Sequence, residues 1–278
     1  MNTNNSVGNK GYVGAFTNTM NNTVNKVRRA PKSQKILGVV TFVIIIALVV
    51  YFLWSISKDY KTKQENEPWL IPNTRIARKS QKIPGYVIKE SADSQYGIEF
   101  TYAFWIYVTD WNYKSDTYKH VFHKGNNGTM PLQAPGVWLY PKENKMAINM
   151  NTFHSVKESC DIGNIPIGKW FHVTISVIGK NMDVYINGRL KKRCSFKGIP
   201  KQNYGDLYIT HWNGFDGFLS KFRYFNYAVP FWKIEKMIAD GPSDAPCTET
   251  GVEPPYLAKD YWMNSGFPDA INFPTGSN

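Results

Sequence analysis

Apolar and polar residues alternate along most of the chain after residue 86. Phe100, Tyr102, Phe104, Ile106 and Val108 fall on one side of a strand, with Thr101, Ala103, Trp105 and Tyr107 on the other. Phe171, Val173, Ile175 and Val177 are offset in the same way from His172, Thr174 and Ser176. A period of two marks a half-buried antiparallel strand. Met182, Val184 and Ile186 continue the alternation after a turn at Gly179-Lys180-Asn181, and Asn187-Gly188 is a strong hairpin signal. Further strand-like runs lie at 136–140, 145–151, 206–212 and 218–225. Many short strands between Gly, Pro and Asn turns predict a mainly β fold, an antiparallel β-sandwich or jelly roll. One short helix closes it: Pro230 suits a first turn, Phe231, Ile234 and Ile238 recur at helical spacing, and Gly241-Pro242 stops it.

The pattern before residue 86 is different. Ile36 to Ser57 run without a charge between Lys35 and Lys58. At the helical rise this stretch is about 33 Å long, enough for a hydrocarbon core of about 30 Å. Tyr51 and Trp54 stand near one end, as interfacial aromatics do. The run is longer than a signal-peptide core, and no small-residue cleavage site follows it, so a single transmembrane helix is expected. Residues 1–35 form an Asn-rich polar tail without a hydrophobic period, expected to be disordered. Residues 58–85, with Pro68, Pro72 and Pro84, suggest a stalk, and 243–278 suggest an extended tail whose aromatics pack along a surface. The β domain is bounded at 86–242.

Composition narrows the classes. The chain has 278 residues, 15% of them aromatic, which excludes disorder throughout. A mean hydropathy of −0.39 excludes a multi-span protein. The net charge is +12, but Lys10, Lys26, Arg28, Arg29, Lys32 and Lys35 supply six of those charges, with no acid among residues 1–35. The remainder is close to balanced. Bases crowd the N-terminal flank of the apolar stretch, which predicts an N-terminus on the cytoplasmic-type side.

Three stretches resemble the concanavalin A-like lectin/glucanase superfamily, in its laminin-G-like branch. FTYAFWIYVTDW (100–111) resembles an early strand of that family. Residues 169–190 carry its pattern of a Trp, a strand, a turn and a strand ending in Asn-Gly. Residues 215–242 resemble its closing strand, the Asn226-x-Ala228 pair and its terminal helix. One anchor, a polar stalk and a single such domain in an Asn- and Lys-rich chain also resemble the membrane-anchored minor capsid proteins of large algal and amoebal DNA viruses. That resemblance implies a noncatalytic structural role, joining an internal virion membrane to a capsid shell, with the bilayer and capsid proteins as partners. A membrane-tethered lectin binding glycans is the alternative, and a glycan hydrolase a weaker one.

The candidate chemistry is sparse. Glucanases of this fold alternate acids as Glu-x-Asp-x-x-Glu, and no such run is present. Glu90/Asp93 and Glu158/Asp161 are spaced by three, which sets each pair on opposite faces of a strand. No catalytic or cofactor-binding residue is therefore assigned. Gly163 to Lys169 nearly spells a phosphate-binding loop, but Trp170 stands where Ser or Thr belongs and a strand follows instead of a helix. His120 and His123 are expected on opposite faces, so no zinc site is assigned. Calcium is the one cofactor left open, with Asp110, Asp206 and Asp216 at strand ends. Trp111, Trp138 and Trp212 with Asn213 lie near loops, where exposed rings stack on sugars and buried ones pack a core.

Three further features stand out. Cys160 and Cys194 flank strands that a sandwich can set side by side, so either a disulfide or three free thiols, with Cys247, is consistent with the spacing. Arg189, Lys191, Lys192 and Arg193 directly follow the Asn-Gly turn. They read either as a solvated edge strand blunted by charge or as a dock for an acidic capsid neighbour or anionic headgroups. Nucleic acid is disfavoured, since aromatic interleaving and groove-reading motifs are missing. Asn127-Gly128-Thr129 is a glycosylation sequon that matters only in a secretory lumen.

Overall fold

A computed structural model describes residues 31–94, 97–128 and 132–245. The expectations for the N-terminal tail through residue 30, for Cys247 and for the aromatic tail beyond Ala245 lie outside these residues. The chain divides into two compact units, residues 1–61 and 62–278.

Helix α1 (Lys32–Asn66) is continuous. Its stretch Ile36–Asn66 has a mean hydropathy of 3.1 over its most apolar window, and none of that window is buried in protein. By length and composition the helix can cross a membrane. Its apolar side chains face all directions, as suits a helix solvated by lipid on every side. Thr41 returns its hydroxyl to the Gly38 and Leu37 carbonyls, at 2.9 and 3.1 Å, so that polar group is satisfied within the helix itself. The helix outlasts the apolar run by nine residues, because 58–66 contain no Gly or Pro and good helix formers continue it until the residue before Glu67-Pro68.

Fourteen strands follow among the described residues: β1 (Trp69–Ile71), β2 (Arg75–Ile76), β3 (Gln81–Ile83), β4 (Ala92–Ser94), β5 (Gly97–Asp110), β6 (Lys119–Gly125) and β7 (Gln133–Leu139). Then come β8 (Lys145–Met150), β9 (Glu158–Gly163), β10 (Trp170–Ile178), β11 (Asn181–Ile186), β12 (Arg189–Ser195), β13 (Asp206–Ile209) and β14 (Asp216–Phe225). One sheet runs β1-β14-β5-β10-β11-β12, with β2 also on β14 and β4 on β5; the other runs β3-β13-β6-β7-β8-β9. The resulting architecture is an antiparallel β-sandwich. The stalk expected over 58–85 is therefore corrected: it begins as helix, and β1, β2 and β3 join the sheets through β14 and β13. Strands of two or three residues are too short to show a period, which is why the polar, Pro-containing segment concealed them.

The core lies between the sheets. Phe104, Phe122 and Phe222 are fully buried there, with ring centroids 4.7–5.6 Å apart. Each such side chain contributes roughly 1.5–3 kcal/mol on burial. The second face of β5 and β10 was expected to be half exposed, yet Ala103, Thr101, His172 and Thr174 are buried as well. Helix α2 (Phe231–Ala239) covers that side. Its Ile234 packs with Ala103, Phe225 and Val229 in a second, smaller core. Phe231, expected on the buried stripe, instead faces solvent.

The β11–β12 hairpin turns at Asn187 (φ 47°) and Gly188 (φ 75°), the left-handed pair that a two-residue turn of this hand requires. A Cβ on Gly188 would also meet the Cδ1 methyl of Ile238 on α2 at 2.7 Å, a contact the end of that side chain could shift to relieve, so it is the left-handed backbone that requires glycine here.

Candidate binding face

Strand β6 is irregular where it pairs with β7. His120 pairs with Trp138 and Phe122 with Val137, so two steps on β6 match one on β7. Val121 is the extra residue of a bulge, and both Val121 and Phe122 enter the core. The bulge changes the parity of the strand. His120 and His123 consequently share one face, with Nε2 of His120 2.7 Å from Nδ1 of His123, which corrects the expectation of opposite faces. The signal for this was the pairing with β7, which the β6 sequence alone does not contain.

That face is the outside of the six-stranded sheet, and aromatic rings assemble on it. Tyr208 and His123 are stacked at 4.9 Å, His123 and Trp212 at 5.7 Å, and Trp138 and Trp212 at 5.6 Å. His120 meets Trp138 and Trp212 edge-on. The histidines and Tyr208 are buried, while Trp212 remains 38% exposed at the rim.

The turn that presents Trp212 is conformationally costly. Thr210, Trp212 and Asn213 all have positive φ, at 49°, 51° and 61°. Left-handed backbone is unfavourable for a β-branched residue such as Thr210. Compensation comes from its amide on the Val121 carbonyl at 2.8 Å and its hydroxyl on the Lys79 carbonyl at 2.5 Å. Tyr113 donates to the Asn213 carbonyl at 3.1 Å and Lys114 to that of Trp212, so the 111–118 loop braces the same turn.

Polar groups border the rings. Trp138 Nε1 donates to Gln133 Oε1 at 2.7 Å. Gln133 lies where a Cβ on residue 136 would be, 1.6 Å away, so Gly136 makes room for it. On β8 and β9 the same face carries Asn149, Ser159 and Asp161. Ser159 and Tyr140 both donate to the Asp161 carboxylate, at 2.8 and 2.9 Å, and the bond to Asp161 pushes the Tyr140 phenol up. The buried Oδ1 of Asn149 has no hydrogen-bond partner.

Burial pushes the His123 imidazole down to about 4, helped by His211 and opposed by the Asn126 carbonyl. Burial, together with His123 and His211, holds His120 well below the ordinary histidine range. Both are neutral near pH 7 and act as hydrogen-bonding aromatics rather than as cations.

The other sequence candidates are dispersed. Trp111 is partly buried against the core beneath the Lys119 ammonium, 5.2 Å from its ring. Asp206 pairs with Lys82 at 2.7 Å and Asp216 with Arg78 at 2.7 Å, while Asp110 caps the Asn112 amide. Asp110 and Asp216 stand opposite each other on β5 and β14, whereas Asp206 lies on β13 of the other sheet, and among the described residues no cluster of three or more His, Cys, Asp or Glu is arranged to hold a metal. Glu158 binds Thr152 and the Lys197 and Gly198 amides, away from Asp161. Asn127 is exposed.

Cys160 on β9 and Cys194 on β12 form a disulfide, with Cα atoms 6.1 Å apart, which ties the last strand of one sheet to the last strand of the other. Arg189, Lys191, Lys192 and Arg193 lie exposed on β12, an edge strand. Arg193 is not free: it makes a two-pronged contact with Asp183 at 2.6 Å. Lys192 reaches across to the Asp161 carbonyl at 3.0 Å.

No curated protein matches the chain. Solved structures that resemble it include the receptor binding domain of botulinum neurotoxin C/D mosaic serotype, at 15% identity, TM-score 0.43, covering 52% of this chain and 36% of that one. The binding domain of botulinum neurotoxin DC in complex with rat synaptotagmin II is similar at 18% identity and TM-score 0.41, covering 51% and 36%. The chain thus spans about a third of the length of these relatives. A family model, described as the concanavalin A-like lectin/glucanases superfamily, matches residues 85–230, just over half of the chain. With the two antiparallel sheets and their closing helix, this match means that the chain belongs to the concanavalin A-like lectin/glucanases superfamily.

Proposed function

We propose that this protein is a noncatalytic, membrane-anchored glycan-binding module, with its ligand on the outer face of the six-stranded sheet. The observation that carries the reading is the stacked Trp138–Trp212 pair, whose outer ring is held at the rim by a run of left-handed backbone. A broad aromatic ring flanked by amides and a carboxylate suits the apolar face and hydroxyl edge of a sugar. Three carboxyl groups are unsuited to a glycosidase's general-acid role. A glycosidase acid needs a raised pKa, whereas hydrogen bonds and cations outweigh burial to hold Glu67 and Glu158 low, and Lys82 holds Asp206 low. Helix α1 is the anchor, with the basic N-terminal tail on the cytoplasmic-type side. The test is glycan-array binding of the detergent-solubilised full chain and of Trp212→Ala. Tenfold or greater loss of binding with an unchanged melting temperature is expected. A folded parent that binds no glycan, or a variant that binds as well as the parent, overturns the reading.

A second reading, a minor capsid protein linking an internal virion membrane to the shell, is supported by the family resemblance of the whole layout and by the exposed basic edge strand. Mild detergent extraction of particles separates the two: a lectin held only by its membrane anchor is released with the lipid, and a linker stays with the shell.

A further inference from the structure

Large exposed rings are concentrated around one place on the sandwich, the segment Asn66–Glu67 where the chain enters it. Asn66 is held by the Asn226 amide at 3.0 Å and by Lys89 at 3.0 Å. Glu67 is buried, bound to Lys233 at 2.6 Å, Tyr227 at 2.5 Å and Arg223 at 2.9 Å. Trp69, two residues on, lies exposed against the Arg223 guanidinium, 4.6 Å from its ring. Directly before Lys233 stand Phe231 and Trp232, the latter 64% exposed. Asn226 and Lys89 in turn line a groove of about 710 Å³ whose other walls include Tyr86 and Tyr204. Tyr86 is 88% exposed and Tyr204 nearly as open.

Five exposed rings therefore lie on residues adjoining those that hold Asn66 and Glu67 at the end of α1. Trp, Tyr and Phe beside Lys are the residues that favour the headgroup layer of a bilayer, where a ring is half in hydrocarbon and its polar atoms remain wet. The chain itself limits how far this surface can be from lipid. Nine residues separate Ser57, the end of the apolar run, from Asn66, at most about 14 Å of helix. The headgroup layer is itself roughly 5–7 Å deep on each side.

We propose that the surface formed by Trp69, Tyr86, Tyr204, Phe231 and Trp232 docks onto the bilayer interface, so that the sandwich rests on the membrane through its own aromatic contact as well as through α1. The inference depends on α1 being inserted, and the experiment separates the two. The full chain, Trp54→Phe and Trp232→Phe are reconstituted into phosphatidylcholine vesicles whose acyl chains are brominated near the headgroup, and tryptophan quenching is compared with unbrominated vesicles. Trp54 lies within α1, and Trp232 is exposed, so neither change disturbs the sandwich. Both variants should lose a similar part of the quenched signal. If Trp54→Phe loses quenching and Trp232→Phe does not, the helix is inserted and the docking surface is overturned. If Trp54→Phe quenches like the parent, anchoring itself fails. If quenching at Trp232 appears only after residues 246–278 are deleted, the surface belongs to the chain's own tail, and the lipid assignment is likewise overturned.

Discussion

His120 Nε2 lies 2.7 Å from His123 Nδ1, and the groups on either side leave one arrangement of protons. The His211 amide donates to His120 Nδ1 at 2.8 Å, so the His120 proton sits on Nε2 and is donated to His123. His123 then carries its own proton on Nε2, where the Asn126 carbonyl accepts it at 3.1 Å. The pair is a one-directional relay of neutral rings between two loops. A second proton on either ring sets two N–H groups against each other.

Acid should therefore loosen the sandwich. Unfolded histidines take up protons below about pH 6.5, whereas the native His123 does so only near 4. Stability is full above about pH 6.5 and falls as pH drops, by at most about 1.4 kcal/mol per pH unit for each histidine. Thermal melting of the full chain in detergent from pH 7.5 to 4.5 should show this decline, and a chain with His120→Gln and His123→Gln should lose most of the slope. An equal slope in the two chains would assign the acid sensitivity elsewhere, with His172, pushed down to about 3 by burial, the first candidate.

Reduction of Cys160–Cys194 should lower stability by about 3–4 kcal/mol, the chain-entropy value for a loop of this length, 34 residues. Denaturant midpoints with and without reductant measure it. An unchanged midpoint would show that Lys192 and the core between the sheets hold the two strands together unaided.

Glu67→Gln should cost about 3 kcal/mol, because Arg223 and Lys233 are left half-buried without their counter-charge. The loss should be smaller in a Lys233→Met background, where one of those cations is already gone. Additive losses in the double variant would argue against a coupled network.

Arg189, Lys191 and Lys192 changed together to Ser should leave melting within a degree or two, since all three project from an edge strand. Retention on an acidic partner, measured by pull-down, should drop and should become insensitive to salt. Arg193 is best left in place, because its removal would strand Asp183. Unchanged retention at low and high salt would reduce the cluster to edge protection.

Much of the fold was legible because long strands advertise themselves. Phe100 to Val108 and Phe171 to Val177 alternate without a break, and both sets enter the core. Asn187-Gly188 specified its hairpin for the same local reason. What escaped depended on partners. One extra residue at Val121 reverses the facing of His123 and is decided by β7 rather than by β6. The ring cluster draws Tyr208, His123, Trp138 and Trp212 from three strands and a turn, and no spacing in the chain relates them. Phe231 and Ile234 look alike on a helical wheel, and only the position of β5 and β14 decides which one is covered.

The disulfide lies at one margin of the sandwich, joining β9 to β12, while β1 and β3 form the opposite margin. The two layers are thus covalently joined at both margins, by the disulfide on one side and by the four-residue link between β2 and β3 on the other. Tension on the chain at Glu67 acts first on β1 and its pairing with β14, at the margin opposite the disulfide, so the first step of yielding there is the same whether Cys160–Cys194 is oxidised or reduced.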